Sequence, residues 1–410
     1  MKKVWLINPY AYPPEYETRL RTIKTAQYLI ESGYDVTIFG GSFVHNTETN
    51  LIVDKRKYDI KEYGNLKFVH IKNCNYSSTL GRFRSLRQFY SRLKKLVKKF
   101  ARPDIIINDL CLPFGAKIYK AARKLDAVYI GQVQDLWPES FVCFGLIKRK
   151  GLIHRILRRN EFKSYLICDA VIFSMEGYWD YIVDQGWQDR LDPDKLYYLN
   201  NGVDLTDFCS HKEQYILEDE DLKSQSIFRI IYMGSIRLAN DIDKIIDAAK
   251  LIKDERIKIL IFGDGDQRQT LEERCQDEGI NNVIFKQKRI PIEYVPYVLS
   301  QGDLSILNYM PNDIWKYGGS QSKMFQYLAA GKPILSNLKI GYSIIDRFGC
   351  GTARKFGSGA EYASAIECYA QMQEAEYREL CSNALEASKQ FDYRVLIDKL
   401  IVIMDEVSER

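Results

Sequence analysis

Residues 317–337 read YGGSQSKMFQYLAAGKPILSN: a glycine-rich turn, a helix, a glycine stop and a short buried strand. A helix delivered onto an apolar strand is the repeating unit of an α/β sheet. The hydroxyl of Ser320 is expected to cap the helix by accepting from a free backbone N–H of its first turn. Gly331 suits the left-handed position that ends a helix. Pro333 cannot continue it, and Ile334-Leu335 reads as a strand centre. The first turn, with Ser322 and Lys323, then offers unpaired amides and the positive end of the helix dipole, a geometry that suits a diphosphate. On a helix, Lys323, Gln326, Tyr327 and Ala330 share one stripe, expected to face a ligand, while Met324, Leu328 and Ala329 turn to the other side and pack.

Outward from this stretch the same alternation runs through the chain. Strand candidates fall at 4–8, 36–40, 68–71, 105–108, 129–133, 171–174 and 196–199, and then at 230–233, 259–263, 283–285, 304–307 and 334–336. Short apolar strands separated by helical stretches indicate parallel sheets covered on both faces. At 410 residues the chain is too long for one core, and the pattern starts afresh near residue 228 after a polar, acidic stretch from His211 to Ser226. The reading is α/β: two Rossmann-like domains, 1–200 and 201–390, with parallel sheets facing a central cleft. In such sheets ligands gather beyond the carboxyl ends of the strands, where Asp135, Gly234 to Asn240 and Gly263 fall.

Composition narrows the function. An apolar content of 46% argues against disorder. No apolar run reaches the ~18 residues of a membrane-spanning helix. The opening Met1 to Pro9 starts like a secretion signal, but its apolar run is too short, and it reads as a first strand. The nine cysteines are scattered without metal-ligand spacing, which points to a cytosolic chain with reduced thiols and no structural zinc. Residues 1–200 carry 33 Lys and Arg against 21 Asp and Glu, while the remainder carries 26 against 33. The basic half implies an anionic surface as partner. No aromatic–basic recognition motif supports nucleic acid.

Several segments together resemble glycosyltransferase family 4. Residues 320–334 are similar to its donor-site helix, closest to the S-P-S-K-L-F-E-Y-L-A-A-G-K-P pattern of bacterial O-antigen, capsule and exopolysaccharide enzymes. Asp135-Leu136-Trp137-Pro138-Glu139-Ser140 resembles the D-L-W-P-E-S of that subgroup. Asn201-Gly202-Val203-Asp204 with Phe208, Met233-Gly234-Ser235 with Ala239-Asn240, and Gly263-Asp264-Gly265 resemble further motifs, in the family's order. The resemblance spans residues 3–366 and implies the GT-B fold, in which a final helix, here 391–410, crosses back to the first domain.

The resemblance also distributes roles. It implies that Gly263 and Asp264 lie near the nucleotide; the alternative is a plain strand-to-helix turn. Lys286 to Ile290 would face the base. Where many members clasp the donor phosphates with an arginine and a lysine, this chain has Ser235 and Asn240, and Arg237 stands nearby as a substitute or a solvated loop residue. Two family glutamates are replaced by Gly318 and Gln326. Glutamine still accepts a ribose hydroxyl's hydrogen bond, but without charge assistance. Asp135 is assigned a catalytic place in the acceptor region, the alternative being a turn-capping carboxylate, and Glu139 a capping or salt-bridge role. Glu15 and Arg19, in the loop after the first strand, are assigned to the acceptor.

Two basic clusters complete the reading. Residues 82–102 hold nine basic residues and no acid, with Phe83, Leu86, Tyr90, Leu93, Val97 and Phe100 at helical spacing. A second cluster runs from Lys148 to Lys163. Together they would place the first domain on an anionic membrane, peripheral on the cytoplasmic side. The expectation is a retaining, metal-independent glycosyltransferase, of hexosyl or N-acetylhexosaminyl type. It would use a nucleotide-sugar (UDP-sugars favoured) as co-substrate, need no cofactor, and act on a lipid-diphosphate-linked or growing glycan in surface polysaccharide synthesis. The alternatives are a nucleotide-sugar epimerase of the same fold and a catalytically inactive binding subunit.

Overall fold

A computed structural model describes residues 1–410 apart from Thr18, Arg19 and Leu112. The chain divides into two compact units: Met1–Asn200 together with Tyr393–Arg410, and Asn201–Asp392.

In the first unit, β1 (Lys3–Ile7), β2 (Asp35–Gly41), β3 (Tyr58–Tyr63), β4 (Leu66–Ile71), β5 (Ile105–Asp109), β6 (Val128–Val133), β7 (Ala170–Phe173) and β8 (Leu196–Tyr198) form one eight-stranded sheet. Their order is β3-β4-β2-β1-β5-β6-β7-β8, and every pairing is parallel except β3 with β4. Leu6 lies in register between Ile38 and Ile107, and Ile107 faces Ile130. This row of aliphatic residues packs on the final helix, Tyr393–Glu409, through Leu396, Leu400 and Met404. Each fully buried side chain of this size contributes ~1.5–3 kcal/mol, so the final helix is held by its apolar stripe. β3 was not among the strand candidates. Its sequence, YDIKEY, is mostly polar, and it is an edge strand held by pairing with β4 and by Tyr58 and Tyr63 at its ends, which pack on Phe100 and Phe68.

The second unit holds β9 (Phe228–Met233), β10 (Ile257–Phe262), β11 (Val283–Phe285), β12 (Leu304–Leu307), β13 (Ile334–Ser336) and β14 (Gly351–Ala353). They form a six-stranded, wholly parallel sheet in the order β11-β10-β9-β12-β13-β14. Successive residues of β9 enter opposite cores. Ile230 and Tyr232 join Ile245, Ile259 and Ile306 on one face, while Ile231 joins Leu260, Phe325 and Leu328 on the other. Both faces are buried, which is why these strands read as unbroken apolar runs. The three-residue edge strand β14 was not expected. The polar stretch 211–226 is no gap either: it holds the last turn of the helix Leu205–Gln214 and the whole of Glu220–Lys223, and Leu222 is fully buried in the second unit's core.

Candidate active-site elements

The second unit gathers its polar residues at the carboxyl ends of β9, β10, β12 and β13. The helix after the glycine-rich turn is Ser322–Ala329, and Gln321, not Ser320, occupies its N-cap without a side-chain hydrogen bond. This corrects the expected cap. The helix begins one residue later than predicted, and the Ser320 hydroxyl accepts instead from the Asn201 backbone N–H at 3.4 Å. The amides of Ser322 and Lys323 lie among the first four of an α-helix, which have no intrahelical partner. Gly331 has φ +66°, the left-handed stop expected of it.

The ligand-facing stripe also needs correction. Tyr327 is fully buried; its hydroxyl accepts from Met233 N–H at 3.1 Å and returns a bond to Met233 C=O at 3.4 Å. It therefore pins the helix to the end of β9. Gln326 stays half-buried on the same side as Lys323.

Lys323 is the centre of this region. Its ammonium donates to the Tyr232 hydroxyl at 3.1 Å and lies over the rings of Tyr232 and Tyr309, 4.5 and 4.9 Å from their centroids. The Tyr232 hydroxyl in turn donates to Ser235 C=O at 2.6 Å. No ion pair with a carboxylate is formed by Lys323 among the described residues, and burial lowers its pKa to about 7. A cation held by two aromatic faces and one hydroxyl, beside uncapped helix amides, is a site short of negative charge.

The loops around it are fixed by backbone contact. Gly234 has φ +148°, and a Cβ there would sit 2.9 Å from the Lys323 Nζ. Gly263 has φ +136°, and a Cβ there would approach Gly234 O to 1.8 Å. The two loops cross with Ile236 N–H donating to Asp264 C=O at 2.9 Å, and the Asp264 carboxylate accepts from Gly265 N–H at 2.9 Å. Arg268 braces this crossing from below. It is buried and donates to Gly263 C=O, Lys286 C=O and Glu272. Ser235 and Arg237 are exposed, while Asn240 is buried with its N–H bonded to Arg237 C=O. The ammonium of Lys286, expected to face a base, is taken up by Asp219 and Asp221. Gly318, at a family glutamate position, has φ +103°, a conformation L side chains rarely adopt.

In the first unit a cavity of about 370 Å³ opens at the carboxyl ends of β1, β5 and β6. Asn8, Tyr10, Glu17, Arg21, Arg82, Asp109, Gln134 and Asp135 line one part of it, and Phe83, Leu86, Trp137, Phe141, Phe144 and Leu146 another. Its polar groups satisfy one another. Arg82 donates to the Tyr10 hydroxyl at 2.6 Å, Gln134 to Asp109 at 3.0 Å, and Arg21 to Leu199 C=O at 3.2 Å. Asp135 is exposed on this wall. Glu139 is buried and accepts from His154 at 2.8 Å, with Arg149 at 3.1 Å, so it ties helices together. Glu15 is exposed and does not line this cavity; two residues on, Glu17 lines it and accepts from Tyr12 N–H at 3.1 Å. Arg19 lies outside the described residues.

Sequence reasoning missed Tyr232, Tyr309, Arg268, Glu17, Arg82 and Asp109. Tyr232 and Asp109 sit inside runs that read as strands, and only the spatial meeting of five segments reveals the cavity. Among the described residues, no group of three or more His, Cys, Asp or Glu is placed to hold a metal ion, and no helix is long and apolar enough to cross a membrane.

Comparison with known proteins agrees with this architecture. A family model for Glycosyltransferase Family 4 matches residues 21–207, and one for Glycosyl transferases group 1 matches residues 218–384. A Pseudomonas aeruginosa protein described as probable glycosyltransferase WbjE is 23% identical over 277 residues, covering 63% of this chain. The chain spans 64% of that relative's length. Sucrose-phosphate synthase from Thermosynechococcus elongatus superposes with a TM-score of 0.72 at 13% identity, over 99% of each chain. HepE of Anabaena, solved with UDP, gives 0.69 at 13% identity, over 99% of this chain and 100% of that one. The E. coli trehalose-6-phosphate protein bound with UDP-2-fluoro glucose gives 0.75 at 11% identity, over 100% of this chain and 99% of that one. The two family matches together run through both units on a two-domain scaffold shared with these structures, and the chain belongs to the family 4 glycosyltransferases of GT-B fold.

Proposed function

We propose that this chain transfers one sugar from a nucleotide-sugar to a hydroxyl of a lipid-linked or growing glycan, within bacterial surface polysaccharide synthesis. The second unit takes the nucleotide and the first takes the acceptor. The observation that carries this reading is Lys323: a half-buried lysine whose ammonium forms no ion pair with a carboxylate among the described residues, beside uncapped helix amides. A diphosphate supplies the missing charge. UDP is the favoured carrier, because HepE and the E. coli neighbour were solved with UDP or a UDP-sugar.

As the bond between the sugar C1 and the diphosphate oxygen breaks, negative charge grows on the leaving group. The Lys323 ammonium and the amides of Ser322 and Lys323 are placed at one helix end to meet it, with Ser320, Gly234 and Gly263 shaping the walls. Such preorganised donors stabilise a developing anion without reorganisation, so the reaction needs no metal ion. The new bond forms between C1 and the acceptor oxygen on the same face. The acceptor proton passes to the departing diphosphate, giving retention without a protein nucleophile. Asp135 holds an acceptor or donor hydroxyl from the cavity wall. The transferred group is a hexosyl or N-acetylhexosaminyl residue, and the first unit works against an anionic membrane that carries the acceptor.

A binding subunit without turnover is the second reading, favoured by Gly318 and Gln326 standing where the family has glutamates. Incubation of the full chain with UDP-sugars and a lipid-diphosphate-linked sugar separates these. Extension of the lipid-linked sugar, lost in Lys323→Ala, supports transfer. UDP binding with no product from any pair supports the inactive subunit. A changed sugar nucleotide without acceptor indicates epimerisation.

A further inference from the structure

The two basic clusters differ in what accompanies their charge. The helix Thr79–Leu96 buries its apolar stripe, Leu86, Phe89, Tyr90 and Leu93, and shows Arg84, Arg87, Lys94 and Lys95 outward. That is an ordinary docked helix, with a single large apolar residue, Leu80 in its first turn, left exposed. The segment 140–160 and the helix Leu152–Ile167 bury a mixed face and leave a run of apolar residues exposed as well. The buried face of this helix combines Leu157, Phe162 and Tyr165 with polar groups that are bonded in place. His154 meets Glu139 at 2.8 Å, and Glu161 accepts from Tyr165 and Tyr181 at 2.7 Å each. Further apolar residues face outward: Leu152 is 72% exposed, Ile153 61% and Ile156 51%. Phe144 and Leu146, just upstream, are also exposed, and both belong to the apolar wall of the cavity.

Exposed cations surround these residues: Lys148, Lys150, Arg155, Arg159 and Lys163. Residues 140–160 contain no Asp or Glu. A patch of exposed aliphatic and aromatic side chains ringed by one sign of charge does not suit a polar protein surface or free solvent. It matches an anionic bilayer, where apolar tips enter the headgroup–acyl boundary and basic side chains reach lipid phosphates.

We infer that residues 144–163 are the surface by which the first unit inserts into an anionic membrane, and that the cavity opens through Phe144 and Leu146 onto that surface. This rests on the proposed lipid-linked acceptor and assigns it an entry side. The helix Thr79–Leu96 adds charge to the field but does not insert.

The test is flotation of the full chain with vesicles of phosphatidylcholine alone or with 30% phosphatidylglycerol, at low and high salt. Three proteins are compared: wild type, the triple variant Leu152→Ser, Ile153→Ser, Ile156→Ser, and the double variant Arg84→Glu, Arg87→Glu. These positions are exposed, so each variant is expected to fold, and UDP binding by calorimetry verifies it. The expected result is binding of wild type to anionic vesicles that survives partly in high salt. The triple variant should lose at least tenfold, and the double variant should stay within about threefold. Equal binding by the triple variant, equal loss in the double variant, or absence of vesicle binding overturns the inference. So does sedimentation showing that wild type dimerises through this patch and the triple variant does not. UDP affinity should be the same in all three proteins, so failure here leaves the Lys323 site standing, and failure at Lys323 leaves this surface standing.

Discussion

The Lys323 region of the second unit and the cavity of the first are both built at the carboxyl ends of parallel strands, yet their electrostatics are opposite. Around Lys323 the ammonium has aromatic faces and a hydroxyl but, among the described residues, no carboxylate partner. In the cavity, arginines, carboxylates and amides are already bonded, as in Arg82 to Tyr10 and Gln134 to Asp109, and an aromatic wall stands opposite. A site short of negative charge selects an anion. A charge-balanced, amphiphilic site selects by shape and hydroxyl contacts. Parallel sheets in both units thus carry two sites of different character, which the proposed function assigns to nucleotide and acceptor.

The largest test of this contrast is Lys323→Ala. Sugar transfer should fall by roughly 10²–10³, as for loss of one preorganised charge-stabilising donor. Thermal stability should hold or rise, because a cation that its surroundings desolvate without a carboxylate partner is removed. A steady-state assay and a melting curve check both. Gly263→Ala attacks the scaffold instead of the charge. Its Cβ would meet Gly234 O at 1.8 Å in a left-handed conformation, so the unit should lose ~3 kcal/mol or more, read as a lower denaturation midpoint. Asp135→Asn should sharpen the division of labour. Transfer should drop roughly tenfold to a hundredfold while UDP affinity stays unchanged. Loss of UDP affinity there would break the contrast. Gln326→Glu should have the smallest effect, tightening UDP-sugar binding by about 1 kcal/mol through charge assistance to a ribose hydroxyl. Restoring the other acid as Gly318→Glu should fail, since φ +103° disfavours any side chain.

Much of this was legible in the residues. Continuous apolar strands such as 259–262 and 304–307 announce a parallel sheet, because burial on both faces leaves no alternation to confuse with a helix. Gly331 announced its left-handed stop. Edge strands β3 and β14 were not legible, since pairing rather than burial defines them. The Ser320 cap failed because capping depends on where the backbone leaves its extended path, and the Asn201 amide competes for the hydroxyl. Tyr327 fell on the predicted ligand stripe, yet the nearby end of β9 claimed its hydroxyl. The cavity was the least legible feature. Asn8, Arg82, Asp109 and Asp135 are remote in the chain, and nothing in their spacing says that they meet.

The central claim is that Lys323 waits for a diphosphate. Burial lowers its pKa to about 7 in the free protein, against 10.5 ordinarily. A bound diphosphate favours the charged form and raises that pKa. At pH 8, UDP binding should therefore take up a proton, approaching one per site, and uptake should vanish near pH 6, where the amine is already charged. Calorimetric titration of the full chain with UDP, in two buffers of different ionisation enthalpy at each pH, measures this directly. The account predicts uptake at pH 8 in wild type, and at least tenfold weaker binding without that uptake in Lys323→Ala. Equal UDP affinity in both proteins, with no uptake in either, would contradict it.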